Sequence, residues 1–333
     1  MSRTTLRTLL VFVAFAVVVM VLPAFVNDFR AQQFSYVGIY LIALIGLDIL
    51  TGYTGQISLG HGAFMAIGGY TTAILMIDHG VKDIATIPIA ILVAGVAGVL
   101  FGFPAARLSG LYLALATFGI AVATPELIKR FEGFTGGGSG VNLFGTPELT
   151  ASLTPVRLAG VELNFNNWLY YLAWTLALAG YVIAWLILRG RTGRAFRAVR
   201  DSETAAVSSG VSLTRMKVIA FGISAAYAGA AGAMFAIATT YVNPDTFPVA
   251  LSIFLLVGVV VGGLGSLKGL VVGAVFIQFM PLWTQSISKK PGAPAVVYGV
   301  ILILVVLALP GGASGLVSRV TQLVRRGQDF PKP

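Results

Sequence analysis

Apolar runs close to membrane-spanning length recur along nearly the whole chain, and nothing else in the sequence limits its possible folds so strongly. A helix needs about 20 apolar residues to cross a bilayer core. Ten such segments can be drawn: Leu6–Val26, Phe34–Leu50, Gly62–Ile77, Ile84–Phe103, Leu111–Ile128, Trp168–Leu188, Val218–Thr239, Ala250–Gly262, Gly269–Trp283 and Ala295–Leu309. Ala250–Gly262 is too short for about 30 Å at a rise of about 1.5 Å per residue. It is therefore a partial helix or extends into its flanks. Charged residues make up only 10% of the chain, against about 25% in soluble domains, so water could not be faced on all sides. The expected fold is an all-α integral membrane protein with about ten transmembrane segments, some short or broken.

Charge and special residues narrow the function. The net charge of +10 could suggest nucleic acid, but the basic residues fall between the apolar runs. That is the pattern of membrane topology, and no nucleic-acid partner is expected. With the N-terminus inside, ten spans place fifteen of the 22 basic residues inside and seven outside. The expected topology is N-in and C-in. The apolar run from Leu9 to Val26 exceeds a signal-peptide core, so it reads as a retained first helix. The chain has no cysteine and only two histidines, His61 and His79, which leaves no thiolate chemistry and no multi-histidine metal centre. No cofactor is expected. The GGGSG of the outer loop 129–167 lacks the lysine and hydroxyl of a phosphate-binding loop, so a gating or docking loop is the better reading. No catalytic cluster presents itself, and the chain is not expected to be an enzyme. Residues 1–317 form the expected transmembrane domain. Residues 318–333 form a basic tail suited to the anionic inner leaflet.

Two glycine-rich stretches interrupt the apolar pattern. Gly52–Tyr70 carries Gly52, Gly55, Gly60, Gly62, Gly68 and Gly69 among Thr51, Thr54, Gln56, Ser58 and His61. Such backbone cannot face lipid, and at membrane depth it must lie against protein or a water-filled cavity. Two readings stand. One is a broken helix lining a translocation path; the other is a tight turn followed by a packing face of Gly62, Ala66, Gly69 and Ala73. His61 has no acid beside it, which favours a hydrogen-bonded structural histidine over a proton relay. The second stretch, Gly258–Gly273, includes Gly262, Gly263 and Gly265. Corresponding breaks in two halves point to a site between them.

The polar loop 189–217 holds seven basic residues, of which Arg191, Arg194, Arg197 and Arg200 recur every third residue along one helical flank. Ser202 is placed to cap a short helix with Glu203 in its first turn. Glu203, Ala206 and Gly210 would then share a small, flat face suited to close docking.

These stretches carry a resemblance. GYTGQISLGHGAFMAIGGYTTAIL, GRAFRAVRDSETAAVSSGVSLTRMKVIAFGISAAYAGAAGAMFA and GGLGSLKGLVVGAVF resemble segments of the permeases of bacterial ABC importers for branched-chain amino acids, of the LivM type. The resemblance implies an ATP-driven importer built with a second, LivH-type permease, two cytoplasmic ATPase subunits and a periplasmic substrate-binding protein. It implies that the segment matching Arg200–Gly210 docks on the ATPase. The candidate coupling residues are Arg197, Arg200, Asp201, Glu203, Ala205, Ala206 and Gly210. Candidate path residues are Gly52, Gly55, Gln56, Ser58, Gly60, His61, Gly62, Gly262, Gly263 and Gly265. Related importers for urea, amides or aromatic acids remain alternatives. A stand-alone secondary transporter would need a membrane-embedded carboxylate, for which Asp48 is the best candidate.

Overall fold

The computed structural model describes residues 14–143, 164–287, 293–308 and 311–315. The basic tail and most of the expected outer loop lie outside the described residues. The described residues are almost entirely helical. Its helices are α1 (Asp28–Asp48), α2 (His61–His79), α3 (Asp83–Ala105), α4 (Gly110–Arg130), α5 (Glu132–Thr135) and α6 (Phe165–Arg189). They continue with α7 (Arg191–Asp201), α8 (Glu203–Ser208), α9 (Leu213–Thr239), α10 (Val249–Gly262), α11 (Leu270–Ile287) and α12 (Ala293–Ala308).

Among the described residues, seven stretches are long and apolar enough to cross a membrane. They are α1 with its following turn to Tyr53, α3, α4, α6, α9, α10 from Pro244, and α11 from Leu267 to Ser286. The expected segment Gly62–Ile77 falls within α2, and α12 matches the expected Ala295–Leu309 as far as Ala308. Of Leu6–Val26, residues 14–21 are helical and lie against α6. There Tyr170 donates to the Val19 carbonyl at 2.6 Å, and Phe15 meets Trp174 edge-on. The short eighth segment does extend into its flank, gaining a 3₁₀ turn at Pro244–Thr246.

Helices α1 and α9 form the centre. α9 packs along α2, α3 and α1, while α1 also packs on α6, α10 and α11. Most side chains of α1 and α9 are buried, whereas most of those of α3 and α4 are not. Hydropathy could not show this difference, because lipid and protein interior are equally apolar. What distinguishes α9 is its small residues, which let helix backbones approach closely. A Cβ at Gly232 would collide with the Met65 carbonyl of α2, and one at Gly229 with the Ala94 side chain of α3. The expected packing face of α2 is present, with Gly62, Ala66, Gly69 and Ala73 all buried. Gly232→Val is therefore expected to cost about 1–3 kcal/mol by overpacking, read as a lowered melting temperature of the detergent-purified protein.

At the end of the molecule away from α7 and α8, the glycine-rich turn is ordered by pairing. Gly136, Gly137 and Gly140 have positive φ, and Val141–Asn142 pairs antiparallel with Tyr241–Val242. The Tyr241 hydroxyl donates to the Ser139 carbonyl at 2.6 Å.

Candidate coupling segment and helix breaks

Helix α6 ends at Arg189, whose guanidinium stacks 4.1 Å from the centre of the Trp185 ring. A Cβ at Gly193 would collide with the Leu188 carbonyl, so this corner between α6 and α7 needs glycine. Burial along α7 repeats every third residue. Gly193, Phe196 and Val199 are buried, and Arg191, Arg194, Arg197 and Arg200 lie on the exposed flank. Arg197 donates to the Leu188 carbonyl at 3.3 Å, satisfying one of the carbonyls left open at a helix end.

Ser202 separates α7 from α8 and caps α8, accepting from the Ala205 amide at 3.3 Å. Glu203 occupies the first turn of α8 as expected and pairs with the Lys217 ammonium at 2.7 Å. Lys217 is almost wholly buried on α9, so this pair holds α8 against the membrane helices. The C-terminal end of α8 is a Schellman motif. The Val211 amide donates to the Ala206 carbonyl at 3.0 Å and the Gly210 amide to the Val207 carbonyl at 2.9 Å, with Gly210 at φ +80. A left-handed turn is why glycine stands at 210.

The six-residue α8 is thus pinned at both ends. Its phase differs from the face drawn from spacing alone. Ala206 is 2% exposed and points inward, and Gly210 lies beyond the helix. The outward surface is Thr204, Ala205, Val207 and Ser208, with Val207 54% exposed. Sequence reasoning passed over Val207. The one available signal was an apolar residue in a polar loop. Asp201 is exposed beside the cap.

The first glycine stretch breaks a helix. α1 passes into a π-helical turn at Ile49–Tyr53, and helix resumes only at His61. Between them the backbone is held locally. The Gln56 amide donates to the Leu50 carbonyl at 3.1 Å, and Thr51 Oγ1 donates to the Gln56 carbonyl at 3.1 Å. Gln56 Nε2 donates to Thr54 Oγ1 at 3.0 Å. Ser58 Oγ accepts from the Gly60 amide at 3.3 Å. The break is then tied to other helices. The Leu59 amide donates to Thr117 Oγ1 on α4 at 2.9 Å, and the Gly62 amide to Ser252 Oγ on α10 at 2.9 Å. Buried His61 has Nδ1 3.5 Å from Ser224 Oγ on α9, which fits a structural histidine.

The second break, Gly263–Ser266, follows α10, with positive φ at Gly263 and Gly265. It meets the first. Buried Asp48, at the end of α1, accepts through Oδ1 from the Gly265 amide at 2.7 Å. Asp48 is thus engaged as a backbone anchor. A Cβ at Gly52 would collide with both the Asp48 carboxylate and the Gly265 amide. Arg200 joins them by donating to the Gly52 carbonyl. Of the residues singled out from sequence, Gly52, Gly55, Gly265 and Arg200 therefore come together in one place. Gly60, His61 and Gly62 face α4, α9 and α10 instead. Gly262 packs on Gly269, just before α11.

The sequence that folds this way is similar to those of known transport proteins. Residues 30–309 match the family described as "Branched-chain amino acid transport system / permease component". The chain is 35% identical over 289 residues to the high-affinity branched-chain amino acid transport system permease protein LivM of Salmonella typhimurium, covering 82% of this chain and 68% of that protein. It is 23% identical over 333 residues to the probable LivM of Methanocaldococcus jannaschii, covering 86% and 93%. It is 26% identical over 306 residues to the LivH permease of Escherichia coli, covering 86% and 96%. No solved structure gives a significant match. With the family match spanning most of its length, the chain belongs to the permease component family of branched-chain amino acid transport systems.

Proposed function

We propose that this chain is one membrane-spanning half of an ATP-driven importer for leucine, isoleucine or valine. Family membership over residues 30–309 carries the reading. A LivH-type permease would supply the other half, two ATPase subunits the energy, and a periplasmic binding protein the substrate. The proposed orientation is N-in and C-in in a bacterial inner membrane, which puts α7 and α8 in the cytoplasm. A fluorescent protein fused after Pro333 should then fluoresce; a fusion active only as a periplasmic reporter would overturn that topology.

In this reading α8 is the element gripped by an ATPase subunit. Its outward Ala205 and Val207 would enter an apolar groove while Glu203 and Lys217 keep α8 attached to α9. ATP binding would move α8 and switch the path between outward and inward access. The test is ATP-dependent uptake of radiolabelled leucine by proteoliposomes holding all the subunits. Val207→Arg should lower co-purification of the ATPase about tenfold, the effect of burying one unpaired charge at an interface. Uptake by this chain alone, driven by an ion gradient without ATP, would overturn the reading.

A further inference from the structure

The arginines of α7 do not all serve the same end. Arg191 and Arg194 lie on its exposed flank, and Arg197 bonds back to the end of α6. Arg200, exposed on the same flank in the last turn before the Ser202 cap, reaches across to the break at the end of α1. Its stem runs along Gly55. A Cβ built on Gly55 would stand 3.4 Å from Arg200 Cγ and 3.7 Å from its Cβ. Its guanidinium donates to the Gly52 carbonyl and lies 2.6 Å from where a Cβ on Gly265 would be. Asp48 holds the Gly265 amide from the other side. One side chain therefore connects the segment that carries α8 to both helix breaks. Gly52, Gly55 and Gly265 have no side chains to yield between them.

An arginine that only set topology would need a charge at the surface and nothing more. A planar guanidinium fixed on a backbone carbonyl also fixes direction. We propose that Arg200 is a positioning residue that carries displacement of α8 to the two helix breaks, so that all three move as one unit. This rests on the importer reading above. It assigns Arg200 to force transmission within the permease, away from the ATPase-docking surface.

The test uses the complete complex in proteoliposomes, measuring uptake and ATP hydrolysis together. Arg200→Gln should leave the ATPase subunits bound and hydrolysis within about twofold, while uptake per ATP falls about tenfold, the effect of losing a charge-assisted hydrogen bond. Arg200→Lys, which keeps the charge but not the fork, should recover part of it. The chain has no cysteine of its own, so a covalent replacement can be made with Arg200→Cys and Gly55→Cys. The 3.7 Å separation at Cβ falls in the disulfide range. Oxidation should restore uptake per ATP and reduction should abolish it again. Unchanged uptake per ATP in Arg200→Gln would overturn the proposal, and so would release of the ATPase subunits by that variant. If Arg200→Gln does not accumulate, an oxidised cysteine pair that fails to transport overturns it. Absence of ATP-driven uptake by the unaltered complex would instead sink the importer reading, and this proposal with it.

Discussion

Gly52→Ala is expected to lower the melting temperature and to abolish transport. The added methyl would have to occupy space already held by the Asp48 carboxylate and the Gly265 amide. The carboxylate can rotate, but the amide belongs to the backbone of the second break. Either the loop moves or the hydrogen bond from Gly265 to Asp48 is lost. Overpacking of this kind costs about 1–3 kcal/mol, and leaving a buried hydrogen-bonding group without its partner costs a similar amount, about 1–3 kcal/mol. Gly55→Ala provides the contrast. Its methyl would make ordinary contact with the Arg200 stem at 3.4 Å, leaving mainly the cost of a left-handed residue, about 1–2 kcal/mol. Asp48→Asn should also be milder than Asp48→Ala, because the amide oxygen can still accept from Gly265. Thermal unfolding of the purified variants ranks them. Gly52→Ala as stable as Gly55→Ala would refute the packing assigned to this junction.

Removing Glu203 should cost more than removing Lys217, although the two form a single ion pair. Lys217 is buried and Glu203 is about half exposed. Glu203→Ala leaves an ammonium among apolar helices with no partner. Lys217→Met leaves a carboxylate that water can solvate, with a side chain of similar length filling the space. Breaking a fully buried pair typically costs 3–5 kcal/mol. With Glu203 partly solvated, about 2 kcal/mol is the appropriate scale for Glu203→Ala. Lys217→Met should lie within about 1 kcal/mol of the unaltered protein, since apolar replacement of buried ions is often neutral. Both variants should loosen α8 and, on the proposed docking role of α8, weaken ATPase binding. Only Glu203→Ala should lower the melting temperature clearly, and the reverse order would contradict the burial of Lys217.

These two expectations mark where local reading stops. The Ser202 cap, the Glu203 first turn and the end of α8 near Gly210 depend on residues within a few positions of one another. Hydrogen bonds of that range are written into neighbouring letters. The phase of α8 is not. Glu203, Ala206 and Gly210 make a plausible face on paper, but Ala206 packs inward and Val207 outward because α9 lies on one side. The arginine period was equally legible, and so was its exposed flank. That Arg200 turns to the Gly52 carbonyl required the approach of α1 and the loop after α10.

The sequence alone determined that this is a helical membrane protein, where most of its apolar helices lie, where two glycine-rich stretches interrupt them, and to which permease family it belongs. Hydropathy, capping and glycine content act over short distances and survive in a linear reading. Only the tertiary structure decided that α1 and α9 are central while α3 and α4 are exposed. It alone brought Asp48 to Gly265 across 217 positions. The reason is physical. Within a membrane, a leucine facing lipid and a leucine facing protein have the same hydropathy, so the pattern that identifies a helix cannot assign its neighbours. Those are set by where backbones can approach, at Gly52, Gly229, Gly232 and Gly265, and by which buried polar group finds a partner.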